Sequence, residues 1–379
     1  MSLRSELNHT HCLNCISVDC RLLAAGVSAE HANEIAPDGA SGVPALFAAF
    51  GFRLHRSSDT CMPSQRLVNF IRVNLVSAAF VLVFTAFVLA SGLCSQAVEP
   101  EGPPPSLSLT QGTLTLLGAD YSFTEGPTAD ASGNVYFTDQ PNDRIVRYDC
   151  ATGKLADWLK PCGRANGLFF IAPDKMIACA DANNELWQID IPDKQHKVLA
   201  AGTGGQRFSG PNDCWVDRDG SIYFTDPLYK RPYWTQVIPE DNPRGVYRVS
   251  PDGEVSKVVG DLKQPNGIIG DAKNRQLYVA DIGDGKTYRY RIDESGQLTD
   301  RTLFCSQGSD GMTIDEQRNI YLTGRGVTIF NRDGKKMEFI PVPKGWTANV
   351  TFAGPQRRDL FITAKDSVFL IKMNVAGLK

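Results

Sequence analysis

Histidine is scarce in this chain, with five in 379 residues. His9, His11, His31 and His55 all precede an apolar segment at 75–90, and His196 alone follows it, in a polar stretch between predicted strands. A Ser-His-Asp hydrolase needs a histidine base, and a catalytic zinc site commonly uses two or three histidines. If the apolar segment is removed on export, one histidine remains, which argues against both kinds of site.

The chain also lacks an excess of either charge. Charged residues make up 21% and the formal net charge is −3, which gives no indication of a nucleic-acid-binding protein. Glycine (34) and proline (22) are frequent enough for many tight turns. Val, Ile, Tyr, Phe and Thr occur in short runs between those turns, and this pattern favours an all-β domain.

The N-terminal third has the layout of an export signal. Residues 75–90 carry no charge, basic residues precede them, and Ser95-Gln96-Ala97 supplies a small-residue cleavage site. We therefore predict a signal peptide over 62–97, beginning at Met62, and a periplasmic or secreted protein. The alternative is an uncleaved membrane anchor. Residues 1–61 are then an over-extended start or disordered, and 98–111 form a proline-rich linker.

Five cysteines follow the linker: Cys150, Cys162, Cys179, Cys214 and Cys305. An odd number in an exported protein leaves at least one thiol free or bonded to another chain. A bridge between Cys150 and Cys162 stays open, but burial as small apolar residues is the favoured state.

One short strand pattern, typified by Ile222-Tyr223-Phe224-Thr225-Asp226, recurs six times. The copies are 133–139, 174–181, 220–226, 275–281, 318–324 and 358–364. Their last residues are 42, 45, 55, 43 and 40 positions apart, a period that suits a four-stranded propeller blade. The last repeat has room for only three strands, and 112–117 can supply the fourth. We predict a six-bladed β-propeller over 112–379, closed by an N-terminal strand that joins the last blade.

A polar residue stands 14 or 15 positions before the end of every copy. These residues are Glu125, Asn166, Asn212, Asn266, Asp310 and Asn349. Each opens the first strand of its blade, which lines the channel, so they are expected to form a ring at one mouth. Turn formation explains a single Asn-Gly or Asp-Gly, but not six polar residues in equivalent places. Oxygen ligands without histidine or thiolate favour Ca²⁺, then Mg²⁺ or Mn²⁺, with Zn²⁺ a poorer fit.

Second-strand aspartates, including Asp181 and Asp226, are expected at the same mouth. So is a long connection at 227–244, whose aromatic residues could cover a ligand or pack on the rim.

Several motifs resemble those of the SMP-30/gluconolactonase/luciferin-regenerating enzyme family. They are Glu125-Gly126-Pro127, 207–213, 220–227, Pro265-Asn266-Gly267 and 309–312, in the same order over about 112–372. The resemblance implies a six-bladed propeller with one divalent ion held by Glu125, Asn266 and Asp310. It also implies that Arg207 and Asn212 bind substrate and that Asp310 is the catalytic base. Lys230 stands where bacterial members commonly have glycine, which predicts an altered rim.

The implied activity is metal-dependent hydrolysis of a sugar lactone, with water activated by the ion and Asp310. The expected partner is a small-molecule lactone, with no nucleic acid, and with a membrane only if the apolar segment is not cleaved. Two alternatives remain open. One is a ligand-binding propeller with a structural metal, and the other is a propeller hydrolase for other lactones or esters. Asn166 and Asn349 keep the turn interpretation.

Overall fold

The computed structural model describes residues 108–379. The predicted start, the signal peptide and residues 98–107 of the linker lie outside the described residues. Within them, strands are the only regular elements apart from one 3-10 turn, Gln140–Asn142. No helix in this range is long and apolar enough to cross a membrane.

The strands form six antiparallel sheets of four strands, each a blade whose strands follow one another from the centre outward. The first blade consists of β2 (Thr124–Ala129), β3 (Val135–Asp139), β4 (Arg144–Asp149) and β5 (Lys154–Leu159). The second consists of β6 (Ala165–Ala172), β7 (Lys175–Ala180), β8 (Glu185–Asp190) and β9 (His196–Ala200). The third consists of β12 (Cys214–Val216), β13 (Ile222–Asp226), β14 (Gly245–Val249) and β15 (Val255–Val259). Blades 4 and 5 are β16 (Pro265–Asp271), β17 (Gln276–Asp281), β18 (Lys286–Ile292), β19 (Leu298–Cys305); and β20 (Met312–Ile314), β21 (Ile320–Leu322), β22 (Gly326–Phe330), β23 (Lys336–Pro341).

The sixth blade is built from both ends of the propeller. It comprises β24 (Asn349–Ala353), β25 (Asp359–Ala364), β26 (Ser367–Met373) and the N-terminal strand β1 (Thr110–Gly118). β1 runs antiparallel to β26, with Thr110 opposite Met373 and Leu116 opposite Phe369. The predicted closure is therefore confirmed. The strand begins at Thr110, inside the segment predicted as linker.

The innermost strands close the ring. Each of β2, β6, β12, β16, β20 and β24 contacts the innermost strand of the blades on either side, including β2 against β24. This confirms the six-bladed propeller. A short ribbon of β10 (Gly202–Thr203) and β11 (Gln206–Arg207) lies between the second and third blades.

The hydrophobic core is divided among the spaces between blades. Each of the six neighbouring pairs of blades encloses one cluster of buried side chains in the described residues. The second strand of a blade is buried on both faces, and Tyr223, Tyr278 and Tyr321 of the repeat are fully enclosed. The recurring apolar run is therefore the strand that packs against both neighbouring blades.

The cysteines of the described residues are free thiols, and His196 packs on a tryptophan. Cys150 and Cys162 are free thiols, and Cys162 and the three later cysteines are buried, as expected for small apolar side chains. His196 is the first residue of β9 rather than a residue between strands. Its imidazole stacks on Trp187 with ring centroids 3.7 Å apart.

Candidate active site at the mouth of the channel

Threonines of the repeat fix the polar residues of the next blade. The Thr138 hydroxyl donates to the Asn166 carbonyl at 3.1 Å, and the Thr225 hydroxyl donates to the Asn266 carbonyl at 2.7 Å. Thr323 donates in the same way to the carbonyl of Ala348, one residue before Asn349, at 2.8 Å. Three of the six second strands thus hold the start of the neighbouring inner strand in place, which presents the polar side chains at one mouth.

Glycines after the polar residues allow the inner strands to approach closely. A Cβ on Gly126 would lie 2.0 Å from the Asn166 carbonyl oxygen, and one on Gly311 would lie 1.9 Å from Cγ of Asn349. Gly167 and Gly267 are crowded in the same way by the following blade. Of these four, only Gly126 has a positive φ, at 34°. Asn166 and Asn349 lie within strands, so their interpretation as turn residues was wrong.

A cleft of about 330 Å³ opens at this mouth. It is lined by Phe123, Glu125, Asn166, Asn212, Tyr229, Arg231, Gln264, Ile282, Asp310 and Trp346. Asn266 lies directly behind this lining, where its amide donates to Asp310 Oδ1 and to the Tyr229 hydroxyl, both at 2.8 Å. The structure therefore brings Glu125, Asn212, Asn266 and Asp310 together.

Two carboxylates lie at the floor of this cleft, Glu125 buried and Asp310 partly buried. Burial raises the pKa of Glu125 well above its ordinary value, and the charge of Asp310 raises it further. Burial also raises the pKa of Asp310, while hydrogen bonds from Trp346 and Asn266 oppose that increase. The two acids are close enough for their charges to disfavour each other, and such a pair is stabilised by a cation between its members.

The amide of Asn266 supplies a second indication of a cation. Its Oδ1 is buried and has no hydrogen-bond partner among the described residues, although buried carbonyl oxygens are nearly always bonded. A buried oxygen beside two carboxylates suits a hard divalent cation. No group of three or more His, Cys, Asp or Glu side chains in residues 108–379 has metal-binding geometry, so any site here depends on amide oxygens as well.

Arg207 is not part of this cleft. It is exposed on β11, and its guanidinium donates to the Asn183 carbonyl at 2.7 Å. The cleft contains Arg231 instead, whose Nε donates to Asp181 Oδ2 at 2.9 Å. Asn212, in the same motif as Arg207, does line the cleft, but the arginine that faces the cleft is Arg231 of the long connection.

That connection, 227–244, is anchored on the second blade through Asp181. The Tyr233 hydroxyl donates to Asp181 Oδ2 at 2.5 Å, and Trp234 Nε1 donates to the Asp181 carbonyl at 2.7 Å. Tyr229 lines the cleft and Lys230 pairs with Glu240 away from it. Tyr233 and Trp234 therefore pack on the rim, and the covering of a ligand by Tyr229 stays a prediction.

Trp346 is a further residue that the repeats did not indicate. It lies in the connection between β23 and β24, and its Nε1 donates to Asp310 Oδ2 at 2.5 Å. With Asn266 on Oδ1, both oxygens of Asp310 are oriented by donors. No repeat position marks Trp346, because the sequence of the connection that carries it is not repeated in the other blades.

Most second-strand aspartates have a structural role at this mouth. Asp139 accepts from the backbone N–H groups of Ser122 and Phe123, and Asp281 accepts from those of Lys263 and Gln264. Asp226 accepts from the N–H of Ser209 at 2.8 Å. These carboxylates hold the loops that lead into the inner strands. Of the four second-strand aspartates, Asp181 is the one that anchors the long connection.

Comparisons with known sequences and solved structures indicate one protein family. A family model described as the SMP-30/Gluconolactonase/LRE-like region matches residues 123–366. A gluconolactonase of Zymomonas mobilis is 29% identical over 293 residues, which cover 70% of this chain and 82% of that protein. Diisopropyl-fluorophosphatase of Loligo vulgaris is 25% identical over 289 residues, covering 67% and 89%. A solved structure described as a gluconolactonase from Xanthomonas campestris is 27% identical, covers 72% of this chain and 93% of its own, and has a TM-score of 0.66.

Proposed function

This chain belongs to the SMP-30/gluconolactonase/LRE-like family, and on that premise we propose that it is a hydrolase that opens the ring of a sugar lactone. Relatives described as gluconolactonases support the reaction class. The observation that carries the proposal is the cleft in which Glu125, Asn212 and Asp310 converge, with Asn266 behind them.

We propose that Glu125, Asn266 and Asp310 hold one divalent cation. Their oxygens favour Ca²⁺, with Mg²⁺, Mn²⁺ or Zn²⁺ as alternatives. The support is the neighbouring acids Glu125 and Asp310 and the buried Oδ1 of Asn266, which has no hydrogen-bond partner among the described residues. When bound, such an ion would supply Lewis-acid polarisation of the lactone carbonyl.

Asp310 is the proposed general base. Its carboxylate lines the cleft and is oriented by Trp346 and Asn266, and each of its oxygens retains a second lone pair that can accept a proton. A water deprotonated there attacks the carbonyl carbon, and the ring C–O bond then breaks. The leaving oxygen takes up a proton, so one water and one lactone give one hydroxy acid.

Substrate hydroxyls are proposed to contact the polar groups on the cleft walls. Asn166 and Asn212 present amides there, Tyr229 a hydroxyl and Arg231 a guanidinium. Arg207, which the family resemblance suggested for this role, is turned to Asn183. Arg231 is therefore the arginine proposed to bind substrate.

A panel of lactones tests the reaction. The purified protein is treated with a chelator and assayed on glucono-1,5-lactone and related lactones with Ca²⁺, Mg²⁺, Mn²⁺ or Zn²⁺ added back. We expect turnover to depend on the added ion and D310N to lose at least about 100-fold in kcat. D252N, in an exposed turn, is the control. Normal turnover by D310N would contradict the mechanism, and lactone binding without hydrolysis would support a ligand-binding propeller instead.

We also propose that the protein is exported, on the pattern of residues 62–97. N-terminal sequencing of the native protein tests this proposal. A start at Val98 supports cleavage, whereas an intact apolar segment supports the anchored alternative.

A further inference from the structure

A second cleft adjoins the candidate active site. It measures about 450 Å³ and shares Ile282 and Trp346 with the first cleft. Its wall also includes Arg325, Lys336 and Phe339. We call it the blade-five cleft, because most of its wall comes from β22, β23 and the connection between β21 and β22. Trp346 thus separates Asp310 from a second space on the same side of the propeller.

The charged residues that line the blade-five cleft are all positive. Arg325 and Lys336 are its only charged lining residues. Both side chains are exposed, and within residues 108–379 neither has a carboxylate within 4.0 Å. Two unpaired cations facing one cleft favour an anionic ligand.

The strands of the blade build the aromatic wall of this cleft. A Cβ on Gly326 would lie 2.6 Å from Cζ of Phe339 and 2.7 Å from the Ile340 carbonyl oxygen. Glycine at this position therefore lets the Phe339 ring lie across β22. The ring is 43% exposed, and the Lys336 ammonium lies 5.4 Å from its centroid. Trp346 and Phe339 give the cleft apolar surfaces beside its two cations, which suits a ring that carries a charge.

We propose that the blade-five cleft binds an acidic substituent of the substrate, so that the substrate is an aldonolactone extended by a uronic acid residue. This inference rests on the proposed function. The lactone ring would occupy the cleft that contains Glu125 and Asp310. The attached sugar residue would extend past Trp346 and place its carboxylate between Arg325 and Lys336. A monosaccharide lactone would leave the second cleft unfilled.

Three lactones test the proposal by steady-state kinetics. They are glucono-1,5-lactone, a neutral disaccharide aldonolactone, and a disaccharide aldonolactone ending in glucuronic acid. The wild type should show kcat/KM about ten-fold higher for the acidic disaccharide than for the neutral one, as charge-assisted hydrogen bonds allow. R325Q/K336Q should bring this ratio to about one. K197Q/K335Q makes the same change of charge outside both clefts and should keep the wild-type ratio.

Equilibrium binding separates this inference from the proposed function. Calorimetry with the glucuronic-acid-terminated aldonate, the open-chain product, requires no turnover. If no lactone is hydrolysed but this acid binds about ten-fold more weakly to R325Q/K336Q than to K197Q/K335Q, the cleft assignment stands and the hydrolase assignment fails. If the neutral lactones are hydrolysed and the acidic one is not preferred, or the ratio is unchanged in R325Q/K336Q, the cleft assignment is overturned.

Discussion

The Asn349 amide donates to Asp213 Oδ2 across the central channel at 3.2 Å, linking the sixth blade to the third. The Asn349 side chain also opposes the rise in the pKa of Glu125. Asp213 follows Asn212, where four of the six copies have glycine, and burial raises its pKa to about 7. The two side chains thus fill the centre of the channel beneath the candidate metal ligands.

Replacing Asn349 by leucine should destabilise the protein. Asp213 would lose a donor in a buried setting, at a cost of about 1–3 kcal/mol of unfolding free energy. Urea titration measures the loss. Asn183, an exposed asparagine, gives the control N183L, which should change stability little. Equal stabilities for the two variants would contradict a role of Asn349 in the channel.

Gly311 should not tolerate a methyl group. Its φ is not positive, so alanine adds no backbone strain, but the new Cβ would meet Asn349 Cγ at 1.9 Å. We expect G311A to lose roughly 1–3 kcal/mol, because the inner strands cannot separate freely. G260A is the matched control, since a Cβ there meets only the flexible end of Lys257 at 3.2 Å. A thermal midpoint for G311A as high as that of G260A would show that the strands are less tightly packed.

Asp181 should control the cleft through the connection it anchors. D181N keeps the shape of the side chain but removes the charge that holds Arg231 and Tyr233. We expect KM for the lactone to rise about ten-fold with a smaller change in kcat, because Arg231 loses its fixed position. D261N removes an exposed partner of Arg301 and should leave both constants unchanged. An unchanged KM in D181N would mean that Arg231 does not depend on this anchor.

Asp226 should make stability depend on pH. Burial raises the pKa of this carboxyl to about 7 in the folded protein, whereas in the unfolded chain it is about 3.9. Folding therefore takes up a proton between these values, and the stabilisation present at low pH is lost as the pH rises toward 7. The wild type loses this stabilisation between pH 4 and pH 7, whereas D226N has no carboxyl at this position to titrate. The unfolding free energy of D226N minus that of the wild type should therefore rise by on the order of 2–4 kcal/mol over this range. Urea titrations across this range measure it, with D252N as the control, and parallel curves for D226N and wild type would contradict the assignment.

Divalent cations should stabilise the protein through Glu125. A cation present at about 100 times its dissociation constant adds about 2.7 kcal/mol to the unfolding free energy. We expect Ca²⁺ to raise the thermal midpoint of the wild type, and E125Q to lose this response because a buried anionic ligand is removed. E254Q, which changes an exposed glutamate, should respond like the wild type. A full response in E125Q would place the cation elsewhere.

The sequence by itself determined the architecture and the floor of the site. The repeat of Tyr-Phe-Thr-Asp strands predicted six blades, because a strand buried on both faces leaves a recognisable apolar run. The recurring polar position predicted Glu125, Asn212, Asn266 and Asp310 as neighbours, because symmetry places equivalent residues around one channel. Closure by the first strand followed from the missing fourth strand of the last blade.

Only the tertiary structure decided which residues form the walls. Tyr229, Arg231 and Trp346 come from connections whose sequences are not repeated from blade to blade, so no periodicity marks them. Arg207 was assigned to substrate by its motif, but β11 turns its guanidinium to Asn183. The glycines after the polar residues looked like turn formers, yet three of four have ordinary backbone angles and are required by the next blade. Contacts between blades are set by packing in three dimensions, which no spacing along the chain records.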